Sequence, residues 1–418
     1  MAESSITETL ARLAIQNKWP DDLTRRIAQT GVPAAALNSW NWYSLSAEQA
    51  AAQLGWYERL TTGDLRGRDA TFADNDAYSA LWADAPEEVA GWEITVERGP
   101  DAFAQFRLQE NVHLPVLALG PELIACCAFS RRNTMIAGRR VSVRYGQALR
   151  VRRAYRRAGY GDQVRRLAGP PAQGRPELAQ YDLMRTQNFA VVNWWQKFVP
   201  GFFDNTPKRD GAVPGIPVAV AQFPAQPSDA DPSIRLARPE DLPACAALIN
   251  RTHDGRDLFR PSSAEYLESV LDEGYWGVRP GSGNPAIDWW KSIYAWSDYF
   301  VLEEGGRIRA CGGLWDRGRD VRERWKKLGG HEERCVSVAS ILDYGYEAGA
   351  AECMTRLMRH FVGRAHQLGR DYLAAPIQHL PELVALTESM RPEQDERSLR
   401  WDLNDPAITK PYIDLRYW

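Results

Sequence analysis

The spacing of apolar positions changes several times along the chain. Ile6, Leu10, Leu13 and Ala14 recur at helical intervals, and Trp19-Pro20-Asp21-Asp22 opens a second helix running through Arg26, so residues 1–60 predict helical hairpins. Val116–Leu119 and Leu123–Phe129 are short apolar runs on either side of Gly120-Pro121, which predicts a hairpin. Ala137-Gly138 turns Thr134–Ile136 back into Val141–Val151, and a helix is expected at Gly161. Gln180–Arg185 reads as a further strand. Six prolines fall between Asp204 and Ser233, interrupted by the apolar stretch Ile216–Phe223. That stretch is expected to be the last strand of the domain before it, leaving 225–232 as a linker.

The same order then returns. Ile234–Ala237 is a short strand, and Pro239-Glu240-Asp241-Leu242 opens a helix with proline and acids in its first turn. Tyr299–Glu303 and Arg307–Leu314 flank Glu304-Gly305-Gly306 as a hairpin. Val336–Leu342 leads into an amphipathic helix carrying Cys353, Leu357, Phe361 and Ala365. Hairpin, then strand, loop and helix, occurs twice. The expected organisation is a helical extension over 1–60, one α/β domain with a mixed sheet over 61–224, and a second over 233–418. Trp40, Trp42 and Trp56 are expected to pack onto a neighbouring domain.

A length of 418 residues is too great for one ordinary core, and 44% hydrophobic with 25% charged residues excludes wholesale disorder. Fifty-one basic residues against 54 acidic ones leave a net charge of −3, so nothing global draws the chain to nucleic acid or anionic lipid. The apolar runs fall far short of the ~20 residues that span a bilayer. The start shows no basic segment followed by an apolar one, so no secretory signal is read. The six cysteines form no CxxC pair and the six histidines do not cluster with them. The expectation is a reduced, cytoplasmic, metal-free protein, monomeric or homodimeric.

The segment richest in chemistry follows Val151. Arginines at 150, 152, 153, 156 and 157 surround glycines at 159 and 161, where a strand ends and a helix begins. Absent Cβ atoms let backbone N–H groups converge on an anion at the helix start, and pyrophosphate suits such a concavity. Leu149-Arg150-Val151 followed by Arg156-Arg157-Ala158-Gly159-Tyr160-Gly161 resembles the acyl-CoA pyrophosphate loop of the GNAT superfamily of N-acetyltransferases. Asn193-Trp-Trp-Gln-Lys-Phe-Val-Pro-Gly-Phe202 resembles a later helix of that family, and Ile234–Leu242 is similar to its usual opening. The resemblance implies two tandem GNAT-like domains, each a V-shaped mixed sheet. It also implies acetyl-CoA, or another acyl-CoA, held by those loop residues with Asn193. The acceptor it implies is a small-molecule amine that attacks the thioester directly in a ternary complex.

The second half departs from that pattern. Asp343-Tyr-Gly-Tyr-Glu-Ala-Gly-Ala-Ala351 has no arginine and places Glu347 where phosphate would sit, so this half is expected not to bind acyl-CoA. Trp289, Trp290 and Trp296 are read as core. The proton chemistry is open to several residues. Tyr145 stands where some family members carry a glutamate, but a phenol with a reference pKa near ~10 suits an acid or relay better than a base. The family's usual tyrosine acid is replaced by Trp194 or Trp195. Glu110 and His113 are alternative bases. The N-myristoyltransferases, similar tandems, use a terminal carboxylate, which adds that of Trp418 as an option. A fold that binds acyl-CoA or another ligand without turnover is the alternative reading, and an aminoacyl-tRNA-dependent transferase is disfavoured by the net charge.

Overall fold

The computed structural model describes residues 6–30, 46–48, 50–51, 54, 65–156, 159–167, 178–185, 188, 216–272, 294–401 and 408–418. Two helices, α1 (Ile6–Asn17) and α2 (Asp21–Gln29), come first. The first half then runs β1 (Leu65–Asp69), α3 (Asn75–Ala83), β2 (Glu87–Val89), β3 (Trp92–Arg98), α4 (Ala104–Arg107) and β4 (Pro115–Leu119). It continues through β5 (Glu122–Ile136), β6 (Arg139–Val151), α5 (Tyr160–Leu167), β7 (Leu178–Arg185) and β8 (Ile216–Pro224). The second half holds β9 (Ile234–Leu236), α6 (Leu242–Thr252), α7 (Ala264–Asp272), β10 (Tyr299–Glu304) and β11 (Arg307–Trp315). After it come β12 (Val321–Lys327), β13 (Glu333–Tyr346), α8 (Ala351–Gln367), β14 (Tyr372–Ala375), α9 (Pro381–Thr387) and β15 (Glu393–Trp401). No helix among the described residues is long and apolar enough to cross a membrane.

One mixed sheet runs β1-β4-β5-β6-β7-β15-β8-β14-β13-β11-β10-β9. Read from its two ends, β1-β4-β5-β6-β7 mirrors β9-β10-β11-β13-β14, which is the duplication expected from the order of elements. The seam differs from expectation. Strand β8, expected to close the domain before the linker, pairs with β14 and β15, both from beyond the linker. In return β15 pairs with β7 of the first half. The exchange gives the β7 and β14 edges a partner from the other half, so neither exposes unpaired backbone at the centre. A smaller sheet adds a second seam: β3 pairs along Trp92–Arg98 with Val321–Lys327 of β12.

Strand β5 shows why its sequence reads as one apolar run. Leu123, Cys126 and Ala128 pack with Tyr78, Trp82, Phe103 and Phe106 of the α3–α4 side. Ile124, Cys127 and Phe129 pack with Leu10, Leu13, Leu23 and Ile27 of α1–α2 and with Val164 and Leu167 of α5. Both faces are covered, so alternation with polar residues disappears. Trp19 joins the second of these clusters and Trp296 packs against the core of the second half. The other five tryptophans expected to pack as core or between domains lie outside the described residues.

Each half carries a bulge at the same place. Cys126 pairs Arg150 and Ala128 pairs Gln147, so one residue of β5 faces two of β6, and Ala148 takes φ +59°. In the second half Cys311 pairs Gly345 and Gly313 pairs Leu342, with Asp343 at φ +46°. A bulge bends its strand and increases local twist. The parallel β6–β7 ladder accordingly ends at Gly146 and Asp182, beyond which the two strands separate.

Candidate functional site

A cavity of ≈ 170 Å³ opens where β6 and β7 part. Gly146 to Arg150 form one wall and Asp182, Leu183 and Arg185 the other. Cys127, Phe129 and Arg165 lie on the α5 side, Trp82 and Arg98 belong to the other face of β5, and Gln105, Arg317 and Trp418 also line the cavity. The glycine at 146 is required by the close approach of β7. A Cβ built there would stand 2.4 Å from Asp182 Oδ1 and 3.3 Å from Phe129 Cε1.

Tyr145 lines this cavity and is 3% exposed. Its ring stacks on Tyr181 with centroids 4.8 Å apart and meets the edge of Tyr417 at 5.5 Å. No described residue hydrogen-bonds its hydroxyl. Burial, reinforced by Tyr181, raises its pKa far above the ordinary phenol value. At neutral pH it therefore offers a proton and does not accept one. Asp182, also on the lining and 8% exposed, is the carboxylate nearest the parting point. Sequence reasoning missed it. The available signal was Gly146, a glycine inside a strand, which marks a close approach by a neighbour.

Arginine dominates the rest of the lining. The Arg150 guanidinium lies 4.3 Å from the Trp82 ring centre and is ion-paired with Glu87. Arg185 is 2.5 Å from Glu323 and 3.6 Å from Glu87. Burial alone would raise the pKa of Glu323, but Arg185, Arg317 and Arg397 outweigh it and hold the group down at about 2. Arg98 and Arg317 have no ion-pair partner among the described residues. Arg98 donates to Gln105 Oε1 at 3.1 Å and lies 4.0 Å from the Trp82 ring centre. Burial pushes both arginines down to about 10, and like charges nearby add to the effect.

The glycine loop sits at the far end of β6. Gly159 takes φ +83°, a Cβ there would point into open space, and α5 begins at the next residue. That geometry fits an anion against the backbone at the start of α5. The arginines divide. Arg152 is held by Glu122 at 3.2 Å and Asp84 at 3.7 Å, and Arg153 by Glu93 at 2.8 Å. Arg156 remains beside the loop, donating from Nε to the Val151 carbonyl at 3.3 Å and from Nη2 to that of Pro86. Leu149 and Arg150 line the cavity, whereas Val151, Tyr155 and Tyr160 pack against the cluster of α1, α2 and α5. Arg157, Ala158, Asn193, Trp194 and Trp195 lie outside the described residues.

The two alternative bases are elsewhere. Glu110 is ion-paired with Arg260 of the second half, and burial raises its pKa. His113 Nε2 lies 2.5 Å from Asp69 Oδ1. Neither lines the cavity. Trp418 does: its indole donates to Asp395 Oδ2 at 2.7 Å and an oxygen of its terminal carboxylate accepts from Gln105 Nε2 at 3.1 Å.

The equivalent place in the second half is filled. Asp343, at the bulge, is bonded to Arg416 and accepts from the Tyr294 hydroxyl at 3.1 Å. His253 Nδ1 and His379 Nε2 are 3.0 Å apart, and the His253 ring packs on Tyr344 and Tyr412 at 4.8 and 4.6 Å. Glu347 is held by Arg307 at 2.5 Å and Arg309 at 2.8 Å.

This arrangement, a mixed sheet parting beside a glycine loop in one of two like halves, defines a duplicated α/β fold of the GNAT type. No family model and no curated protein matches the chain. Among solved structures it is similar to Saccharomyces cerevisiae N-myristoyltransferase with bound myristoyl-CoA. That match has 12% identity and a TM-score of 0.50, over 81% of this chain and 83% of that one. A second structure of the yeast enzyme, with myristoyl-CoA and inhibitors, matches at a TM-score of 0.51 and 12% identity, over 81% and 80%. At such identity the likeness is one of fold: the chain has the tandem GNAT fold of N-myristoyltransferase.

Proposed function

We propose that the protein is an acyl-CoA-dependent N-acyltransferase that moves acetyl from acetyl-CoA to the amine of a small molecule or amino acid, by direct attack in a ternary complex. The observation that carries this reading is the parting of β6 and β7 at Gly146 and Asp182, on the same strand that leads to the Gly159 loop. Gln147 to Val151 would run beside the pantetheine arm. Arg156, Arg157, Ala158, Gly159, Tyr160 and Gly161 would hold the pyrophosphate, with Asn193 beyond them.

Acyl-CoA supplies the activated acyl carbon. The amine nitrogen bonds to that carbon as the carbon–sulfur bond breaks. Asp182 takes the proton shed by the nitrogen, and Tyr145 hands one to the departing sulfur. Proton return from Asp182 to Tyr145 restores both groups, leaving an amide and free thiol. Positioning of the two substrates supplies much of the remaining rate.

Calorimetric titration with acetyl-CoA tests the reading on wild type and on Gly159→Glu. Glutamate would be strained at φ +83° and would repel phosphate. Micromolar binding that vanishes in the variant supports it. No binding to wild type refutes it, and binding with no thiol release across a broad amine panel leaves the ligand-binding alternative.

A further inference from the structure

A second cavity adjoins the first. Arg185, Arg317, Glu323 and Arg397 line both, so they stand between the β6–β7 parting and a polar hollow of ≈ 130 Å³ at the seam of the halves. That hollow is bordered by Trp325, Arg334, Tyr372 and Glu393. The side-chain charges of the first cavity do not balance. Six arginines line it (98, 150, 165, 185, 317 and 397) against three side-chain carboxylates, Glu87, Asp182 and Glu323, with the terminal carboxyl of Trp418 also on the lining. Arg150 and Arg185 are matched to Glu87 and Glu323, and Arg397 to Asp395 at 3.3 Å. Arg98 and Arg317 have no carboxylate within ion-pair distance among the described residues, although Arg317 is near enough to Glu323 to help hold its pKa down. The Nε of each is buried without a hydrogen-bond partner, and Arg98 as a whole is 6% exposed.

Arg98 is a buried guanidinium with no carboxylate in ion-pair contact, and Arg317 is half-buried beside it with its Nε unbonded, so an anion arriving between them would lower the cost of holding both there. A guanidinium fork matches a carboxylate in geometry as well as charge. Arg98 ends β3 and lies over Trp82, on the face of β5 away from α5, and Arg317 follows β11, so neither belongs to the glycine loop at the far end of β6. Resting on the acyl-transfer reading above, we infer that the acceptor is a small amine that also bears a carboxylate, held by Arg317 and Arg98 while its amine meets Tyr145 and Asp182.

The test uses the full chain with acetyl-CoA and matched acceptors: glycine, L-alanine, L-phenylalanine and L-glutamate, each against its α-carboxamide. Thiol release is measured for turnover. The thermal midpoint is measured with each acceptor alone, which reads binding without chemistry. The acids are expected to exceed their amides by at least about tenfold in kcat/KM and to raise the midpoint where the amides do not. In Arg317→Met the acid-to-amide ratio is expected to fall by at least about tenfold, and Arg317→Lys, which keeps charge but loses the fork, should recover part of it. Acids and amides used and bound equally by wild type would overturn the inference. So would a panel in which no acid either turns over or shifts the midpoint. A loss of acetyl-CoA affinity in Arg317→Met would place the arginine on the donor and overturn it too. Failure of acetyl-CoA to bind wild type would sink acyl transfer itself, while the midpoint series would still decide whether a carboxylate is held.

Discussion

Gly146→Ala isolates the parting of the strands. The added methyl would stand 2.4 Å from Asp182 Oδ1, where ordinary contact begins at 3.4 Å, so the carboxylate must retreat by about 1 Å. Phe129 at 3.3 Å blocks an easy shift of the methyl itself. The glycine's φ is not positive, so the backbone needs no rearrangement and the cost is overpacking, about 1–3 kcal/mol. Reduced freedom of the unfolded chain offsets about 0.4–1 kcal/mol of that. A net loss of roughly 1–2 kcal/mol in urea unfolding is expected. Turnover should suffer more, since a 1 Å displacement of a reacting group costs on the order of 10²-fold in kcat. The decisive variant is Gly146→Ala with Asp182→Ala, which removes the atom being struck. If the contact is the cause, the two changes couple by at least about 1 kcal/mol, the double variant being more stable than the sum of the singles predicts. Wild-type kcat and midpoint in Gly146→Ala, or strict additivity in the cycle, would refute the reasoning.

Three further outcomes follow from the charged groups. Glu323, held down at about 2 against an ordinary 4.5, contributes stability that is complete above about pH 5 and is lost as the pH falls towards 2. Glu323→Gln should flatten the urea midpoint over that window by up to about 1.4 kcal/mol per pH unit, and an unchanged profile would refute the Arg185 pairing. His253 and His379 are pushed by burial down to about 3 and about 2, so both fold neutral, and their stability is lost as the pH falls below about 6.5, where the unfolded chain takes up their protons. Asp298 and Asp320, raised by burial to about 6, act in the opposite sense between about pH 6 and 4. The readout is therefore the slope difference between wild type and His379→Gln, about 1.4 kcal/mol per pH unit at most, and parallel slopes would exclude the buried pair. Glu110→Gln should cost about 1 kcal/mol through its link to Arg260 and leave kcat within about threefold, while a hundredfold loss would return the base to Glu110.

What the sequence made legible was local. The two hairpins, the Ala137-Gly138 turn and the loop–helix junction at Gly159 depend on neighbours a few residues apart, and each appears where the pattern put it. The repeat of those elements was legible for the same reason. The exchange of β8 and β15 was not, because an apolar strand between prolines reads alike whether its partners precede or follow it. The arginines show the same limit. Arg150 reads as one of five charges around a phosphate loop, and only folding brings Glu87, 63 residues away, against it. Asp182 looks like any acid within a strand until the register sets it opposite Gly146.

The two halves share a bulge and diverge in what they do with it. Ala148 leaves the parting of β6 and β7 open, while Asp343 at the corresponding position binds Arg416 and Tyr294 and closes its own. That closure has a consequence for the first half. Arg416 also reaches Asp414, which pairs with Arg132 of β5 at 2.8 Å, and its carbonyl accepts from Gln105 and Gln109. The segment that fills the second half is thereby pinned across the first, and it carries Trp418 to the cavity. Arg317, Glu323 and Arg397 reach the same cavity from the second half. One half thus presents the glycine loop and the other supplies the opposing wall. With β8 and β15 exchanged between them, neither half holds the whole cavity lining or a complete sheet by itself.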